Sequence, residues 1–138
     1  GLEMLSLAGV GLRDVEGIGA LESLRSLRLP HNSINDLTPL ATHDSLQVLD
    51  VQGNDVEEWD GVEMLGTCPG LYSLDLRRNF IQENAPDFRA IVCYHIPQLK
   101  VLDGRHVSHG ESSSVSDEVV SASVRRLAGL LRDDGRKE

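Results

Sequence analysis

The sequence has 138 residues and a net charge of −9, with 40% hydrophobic but only 4% aromatic residues. That is one domain's worth of chain with a core of aliphatic side chains. The acidic balance argues against a dedicated nucleic-acid binder, which needs a basic face. No apolar run reaches the ~20 residues of a membrane-spanning helix. Cys68 and Cys93 lie among apolar residues, outside any paired motif. They read as buried free thiols in a reducing compartment. No signal peptide is visible, and the opening Gly1-Leu2-Glu3 enters a repeat at once, as in a piece whose N-terminal cap lies upstream.

The chain repeats one pattern, L-x-x-L-x-L-x-x-N-x-L. Its apolar positions point inward from a short strand and turn, and its Asn can pair turn backbone that burial would orphan. Repeat one, 2–23, has Leu2, Leu5, Leu7 and Leu12, but Val10 stands where Asn belongs. Its turn should therefore lack the side-chain ladder and be the least regular. Repeat two, 24–45, is regular (Leu24, Leu27, Leu29, Asn32, Ile34), and Leu37 and Leu40 on its return arm suit a short 3₁₀ turn or a single helical turn. A 22-residue repeat leaves no room for a long convex helix.

Repeat three, 46–70, carries Leu46, Leu49, Val51, Asn54 and Val56. Its three extra residues allow a helical turn around Glu63-Met64-Leu65 before Cys68-Pro69-Gly70. Trp59 keeps the three-residue beat and should be buried. Repeat four, 71–98, opens with Leu71, Leu74, Leu76, Asn79 and Ile81, then turns helical from Asp87 to Ile96, where Pro97 stops it. Gln98 to Gly104 is a half repeat that adds a last strand, and 86–109 forms the C-terminal cap that a stack of repeats requires. Residues 110–115 read as a mobile polar linker. A helix over 116–132 follows, with Ser116 as its cap and Val120, Val124, Leu127 and Leu131 as its apolar stripe, and 133–138 is a tail. The stripe slightly favours packing back on the repeats.

No catalytic motif appears. His106-x-x-His109 near Cys93 and His95 lacks zinc-site spacing and reads as surface histidines. No cofactor is indicated. Strand residues between the apolar wedges point outward, which puts Arg28, His31, Asp50, Gln52, Asp75, Arg77 and Arg78 on the concave side as candidate partner-binding residues. Charges of both signs there suit a protein partner better than a polyanion.

The repeats from Leu2 to Asp103 resemble the SDS22-like class of leucine-rich repeats. Tyr94-His95-Ile96-Pro97-Gln98-Leu99-Lys100-Val101-Leu102-Asp103 resembles that class's C-terminal cap. The implied fold is an α/β, right-handed leucine-rich-repeat solenoid with a short parallel concave sheet and convex turns and 3₁₀ segments. A closer resemblance is carried by three stretches. These are Leu5 to Ile18, with small residues in place of Asn, Asn32 to Leu40, and Leu49 to Glu58 ahead of Cys68-Pro69-Gly70-Leu71. They resemble the ciliary family of leucine-rich-repeat-containing protein fifty-six, and the short Gln82–Asp87 connection departs from it. The resemblance implies a non-catalytic cytoplasmic adaptor, monomeric in isolation, with the cilium or flagellum as its place. Its partners would be dynein-arm or intraflagellar-transport proteins, with no nucleic acid or membrane. Other relatives of the class imply a spliceosomal ribonucleoprotein-type scaffold or a phosphatase regulatory subunit.

Overall fold

The central residues of each repeat form a short strand. In the computed structural model, which describes residues 1–133, these are β1 (Met4–Ser6), β2 (Ser26–Arg28), β3 (Val48–Asp50), β4 (Ser73–Asp75) and β5 (Val101–Leu102). They pair in parallel in chain order, with Leu5, Leu27, Leu49, Leu74 and Leu102 abreast. Strand side chains alternate between faces, so these leucines point into the core while their neighbours face out. From Leu27 onward they are fully buried. Leu5, on the edge strand, is only partly covered, and Leu2, Met4, Leu7 and Val10 around it are exposed.

The asparagines hold the turns together, and they do so backwards along the chain. Asn54 Oδ1 accepts the Ile34 N–H (2.9 Å), and its amide donates to the Leu29 and Val51 carbonyls (both 2.9 Å). Asn79 repeats this one unit on, taking the Val56 N–H and donating to Val51 and Leu76. Asn32 takes the Val10 and Leu12 N–H groups and donates to Leu7. The first turn is therefore not without a ladder, contrary to the expectation from Val10. The turns of repeats one, two and three are each satisfied by the asparagine of the next repeat.

On the convex side the short repeats return through 3₁₀ segments, Gly17–Ala20 and Thr38–Leu40. Repeat three has room for α1 (Trp59–Met64), continued by a 3₁₀ turn at Leu65–Thr67. The helix starts earlier than Glu63. Trp59 is 4% exposed and stacks on Phe88 with ring centroids 5.8 Å apart. Gly66 permits a close approach here, since a Cβ at that position would lie 2.2 Å from the His95 carbonyl oxygen.

Repeat four holds two helices, α2 (Phe80–Asn84), which the sequence reading did not anticipate, and α3 (Phe88–His95). The cap ends in a hairpin rather than a single strand, because β6 (Arg105–His106) pairs antiparallel with β5. Asp103 and Gly104 both have positive φ (53° and 80°), as a tight two-residue hairpin turn needs, and Asp-Gly is a preferred sequence for it. Residues 110–115, expected as a polar linker, contain turns and are tied down by Glu111, whose carboxylate pairs with Arg89 at 2.6 Å.

The last helix, α4 (Asp117–Asp133), is capped as expected, with Ser116 Oγ accepting the Val119 N–H. It packs on the repeats through part of the expected stripe, with Leu127 buried and Val120 partly buried against the core. Val124 is 44% exposed, while Ser123 and Leu127 are buried. The Trp59 indole N–H donates to Ser123 Oγ (3.2 Å), and the Ser123 hydroxyl donates to the Pro86 carbonyl (2.8 Å). A hydrogen-bonded serine thus takes the seat the hydropathy pattern assigned to valine. Of the expected tail 133–138, Asp133 instead ends α4 and the rest lies outside the described residues.

Candidate functional site

The outward side chains of β1 to β4 form rows across the concave sheet. One row runs Ser6, Arg28, Asp50 and Asp75, fixed by the strand register. Gln52 and Arg77 lie in the turns just past β3 and β4, two residues on from Asp50 and Asp75. Both pairs are bonded. Asp50 accepts the Gln52 N–H (3.1 Å) and side-chain amide (3.3 Å). Asp75 accepts the Arg77 N–H (3.1 Å), Nε (3.0 Å) and Nη2 (2.5 Å).

Burial alone would raise the Asp75 carboxyl's pKa, but the Arg77 hydrogen bonds outweigh it and hold the group below the usual carboxylate range. Arg77 in turn is raised by its hydrogen bond to Asp75, with Asp103 and Asp50 adding to the effect. Arg28 is different. It is exposed and makes no salt bridge among the described residues. His31 and Arg78 sit on the turns at the rim of the sheet, both in the left-handed region (φ 58° and 61°) where a side chain is strained. His31 lies over Gly53, where a Cβ would come within 2.4 Å of its Nδ1. The seven residues thus divide into two internal pairs, one unpaired arginine and two rim residues.

Asp103 matches Asp50 and Asp75 in sequence, yet it does another job. Leu7, Leu29 and Val51 donate their N–H groups to the backbone carbonyls of Arg28, Asp50 and Asp75 on the next strand. At Asp103 the chain has already turned into the hairpin, and the side chain replaces the lost carbonyl, accepting the Leu76 N–H at 2.7 Å. Burial pushes this carboxyl up. The sequence reading missed this role, although Asp103-Gly104 carried the turn signal that implies it.

Both cysteines are free and buried. The Cys68 thiol donates to the Leu40 carbonyl, and burial pushes both thiols up, so neither is an activated nucleophile. Among the described residues no group of three His, Cys, Asp or Glu side chains could hold a metal, and no helix is long and apolar enough to cross a membrane.

No family model matches the sequence. Among solved structures, internalin C2 of Listeria monocytogenes is similar with a TM-score of 0.57 and 28% identity, over 72% of this chain and 40% of that one. Leucine-rich repeat-containing protein 56 of Homo sapiens is 40% identical over 119 residues, 78% of this chain and 22% of that protein. The chain is a leucine-rich-repeat domain. This leucine-rich-repeat domain spans about a fifth of the length of that relative. The Drosophila melanogaster SNF/U2A′ complex matches it with a TM-score of 0.59 over 86% of this chain and 85% of that one; at 20% identity this shows the shared fold alone. Such a fold supports protein–protein interaction.

Proposed function

We propose that this domain is a non-catalytic adaptor that binds a protein partner through its concave face, in outer dynein arm assembly or intraflagellar transport. The supporting observation is the division of charge on that face. Asp75 and Arg77 satisfy one another, whereas Arg28 stands exposed without an ion pair among the described residues, one strand away from Asp50. An unsatisfied charge beside a satisfied network gives a partner orientation and register more than bulk affinity. Gln52, His31 and Arg78 complete the proposed surface. The ciliary assignment rests on the resemblance of the first three repeats and on relatives named leucine-rich repeat-containing protein 56.

The test places a photo-cross-linking residue at position 6, next to Arg28 in the same outward row, and exposes the tagged domain to lysate of ciliated cells. Adducts with dynein-arm or intraflagellar-transport subunits support the reading, and an Arg28→Glu variant should reduce their capture about ten-fold without altering the fold. Undiminished capture by that variant would remove the concave face from the proposal. The likeness to U2A′ motivates a second reading, a ribonucleoprotein-type scaffold, and a phosphatase regulatory subunit is a third. Adducts with spliceosomal or phosphatase subunits would move the domain to one of those pathways, and the charge of −9 weighs against direct contact with RNA.

A further inference from the structure

The outward face of the sheet carries relief as well as charge. The strand register sets Met4, Ser26, Val48, Ser73 and Val101 side by side in a second outward row, two residues before the row of Arg28 and Asp50. Large and small side chains alternate along it. Strands β1, β3 and β5 carry apolar ridges there, and β2 and β4 carry only a serine. Met4 is 69% exposed, and Val48 and Val101 are half-buried. Apolar ridges on a face that meets water are surface for a partner to cover.

The spacing of the relief selects what fits it. The two serine hollows lie two strands apart, about 10 Å at a strand spacing of about 4.8 Å. An α-helix laid across the strands returns a side chain to one face every seven residues, an advance of about 10.5 Å. An extended segment returns one every second residue, about 6.7 Å, and loses step at once. A polyproline II segment returns one about every 9.3 Å, which matches in length. Such segments are gripped by aromatic side chains, however, and neither outward row contains one. The charged row adds an order. Arg28 and Asp50 are register partners on β2 and β3, yet neither forms an ion pair among the described residues. The Asp50 carboxylate bonds to Gln52, and Asp75 on the next strand is neutralised by Arg77. The face therefore presents one positive and one negative group on adjacent strands. Side chains three or four apart on a helix, about 5–6 Å, meet both.

We infer that the concave face takes an amphipathic α-helix of the partner, laid across the strands. Two of its apolar side chains, seven residues apart, sit over Ser26 and Ser73, and an acid and a base one turn apart face Arg28 and Asp50. Five strands span about 19 Å, the length of roughly 13 helical residues. The apolar contact supplies affinity, and the opposed charges fix which way the helix runs. This inference rests on the concave-face reading and specifies the element that the partner presents to it.

The probe is a phage-displayed library on an alanine-based helical frame, panned on the purified chain beside a library on a proline-rich frame. The helical frame should yield binders with large apolar residues seven apart and an acid and a base one turn apart. Such a binder, titrated as a synthetic peptide into the isotope-labelled chain, should shift the amides of Ser26, Val48 and Ser73. Ser26→Val with Ser73→Val fills both hollows with side chains that strands favour. It should weaken binding at least about ten-fold while leaving the amide dispersion native. A chain with Arg28→Glu and Asp50→Lys should select the acid and the base in reverse order. Binders from the proline-rich frame alone, or from neither frame, would overturn the inference. Binding undiminished by the serine variants, or selection indifferent to the charge reversal, would overturn it too. In all four cases the concave-face reading survives if Arg28→Glu still loses capture from lysate. Peptide shifts confined to amides away from the sheet, with capture undiminished, would remove both.

Discussion

Replacing Asn54 by Ala tests how the turns are held. The lost side chain makes three short bonds, but its partners are not equally dependent on it. The Leu29 carbonyl also accepts from Asn32 (3.1 Å), and the Val51 carbonyl also accepts from Asn79 (2.9 Å). Only the Ile34 N–H, in a fully buried residue, loses its sole partner. An orphaned buried donor costs about 1–3 kcal/mol, and the two shared bonds add a fraction of their usual ~1 kcal/mol each. The expected loss is about 3 kcal/mol, a large part of the roughly 5–15 kcal/mol available to a domain. Asn32→Ala, whose acceptor serves Val10 and Leu12 at the water-exposed edge, should cost only about 1 kcal/mol because solvent replaces the bonds. Urea unfolding followed by far-UV circular dichroism measures both. The sharper comparison is the double variant Asn54→Ala/Asn79→Ala. It strips both amides from the Val51 carbonyl and should exceed the sum of the single losses by about 1 kcal/mol. Strict additivity, or an Asn32 loss as large as that at Asn54, would refute the shared-carbonyl reasoning.

Three further outcomes follow from the same geometry. Asp103→Leu removes the acceptor of the Leu76 N–H and should cost about 1–3 kcal/mol, while Asp103→Asn keeps an acceptor and should be nearly neutral by the same unfolding assay. Asp75 and Asp103 should have opposite pH signatures. The lowered Asp75 pKa gives stability that is complete above its unfolded value near 3.8 and lost as pH falls through the folded one. The raised Asp103 pKa costs stability as pH rises through that same unfolded value towards its higher folded one. Acid titrations of Asp75→Asn and Asp103→Asn should therefore deviate from the parent in opposite directions. Ser123→Ala leaves the Trp59 indole N–H and the Pro86 carbonyl without their bridging hydroxyl. It should loosen α4 by about 1–3 kcal/mol, read as a red shift of the single tryptophan's emission at lower urea than in the parent.

The strands, their order and their inward leucines were legible because the spacing of Leu27, Leu29 and Asn32 leaves one way to bury all three. The two return-arm 3₁₀ segments followed from repeat length. What escaped notice was governed by neighbours rather than by local pattern. The direction of the asparagine bonds depends on how repeats stack, so Val10 was misread as a defect in its own turn. The helix α2 and the face of α4 depend on a partner surface; Ser123 outranks Val124 because Trp59 and Pro86 present a donor and an acceptor there. The β5–β6 hairpin was a different failure, since Asp103-Gly104 stated it in the sequence. On the concave face, the residue types and their rows were legible from the two-residue period. Which charges were already spent on one another was not, because Arg77 could have reached outward as easily as back to Asp75.

The backward pairing of the asparagines has a consequence for synthesis. A ribosome releases the chain from its N-terminal side, so when the turn around Val10 emerges its hydrogen-bond acceptor, Asn32, is still about a repeat away from the exit. Each unit remains unfinished until its successor arrives, and Asp103 supplies the closing bond to Leu76 in the last one. Growing chains therefore always carry an incomplete leading edge, which moves forward by one repeat at a time and disappears only when the hairpin has formed. A nascent chain that has emerged only as far as Gly70 would have Val56 and its turn open to chaperones, whereas one that has emerged past His109 would not.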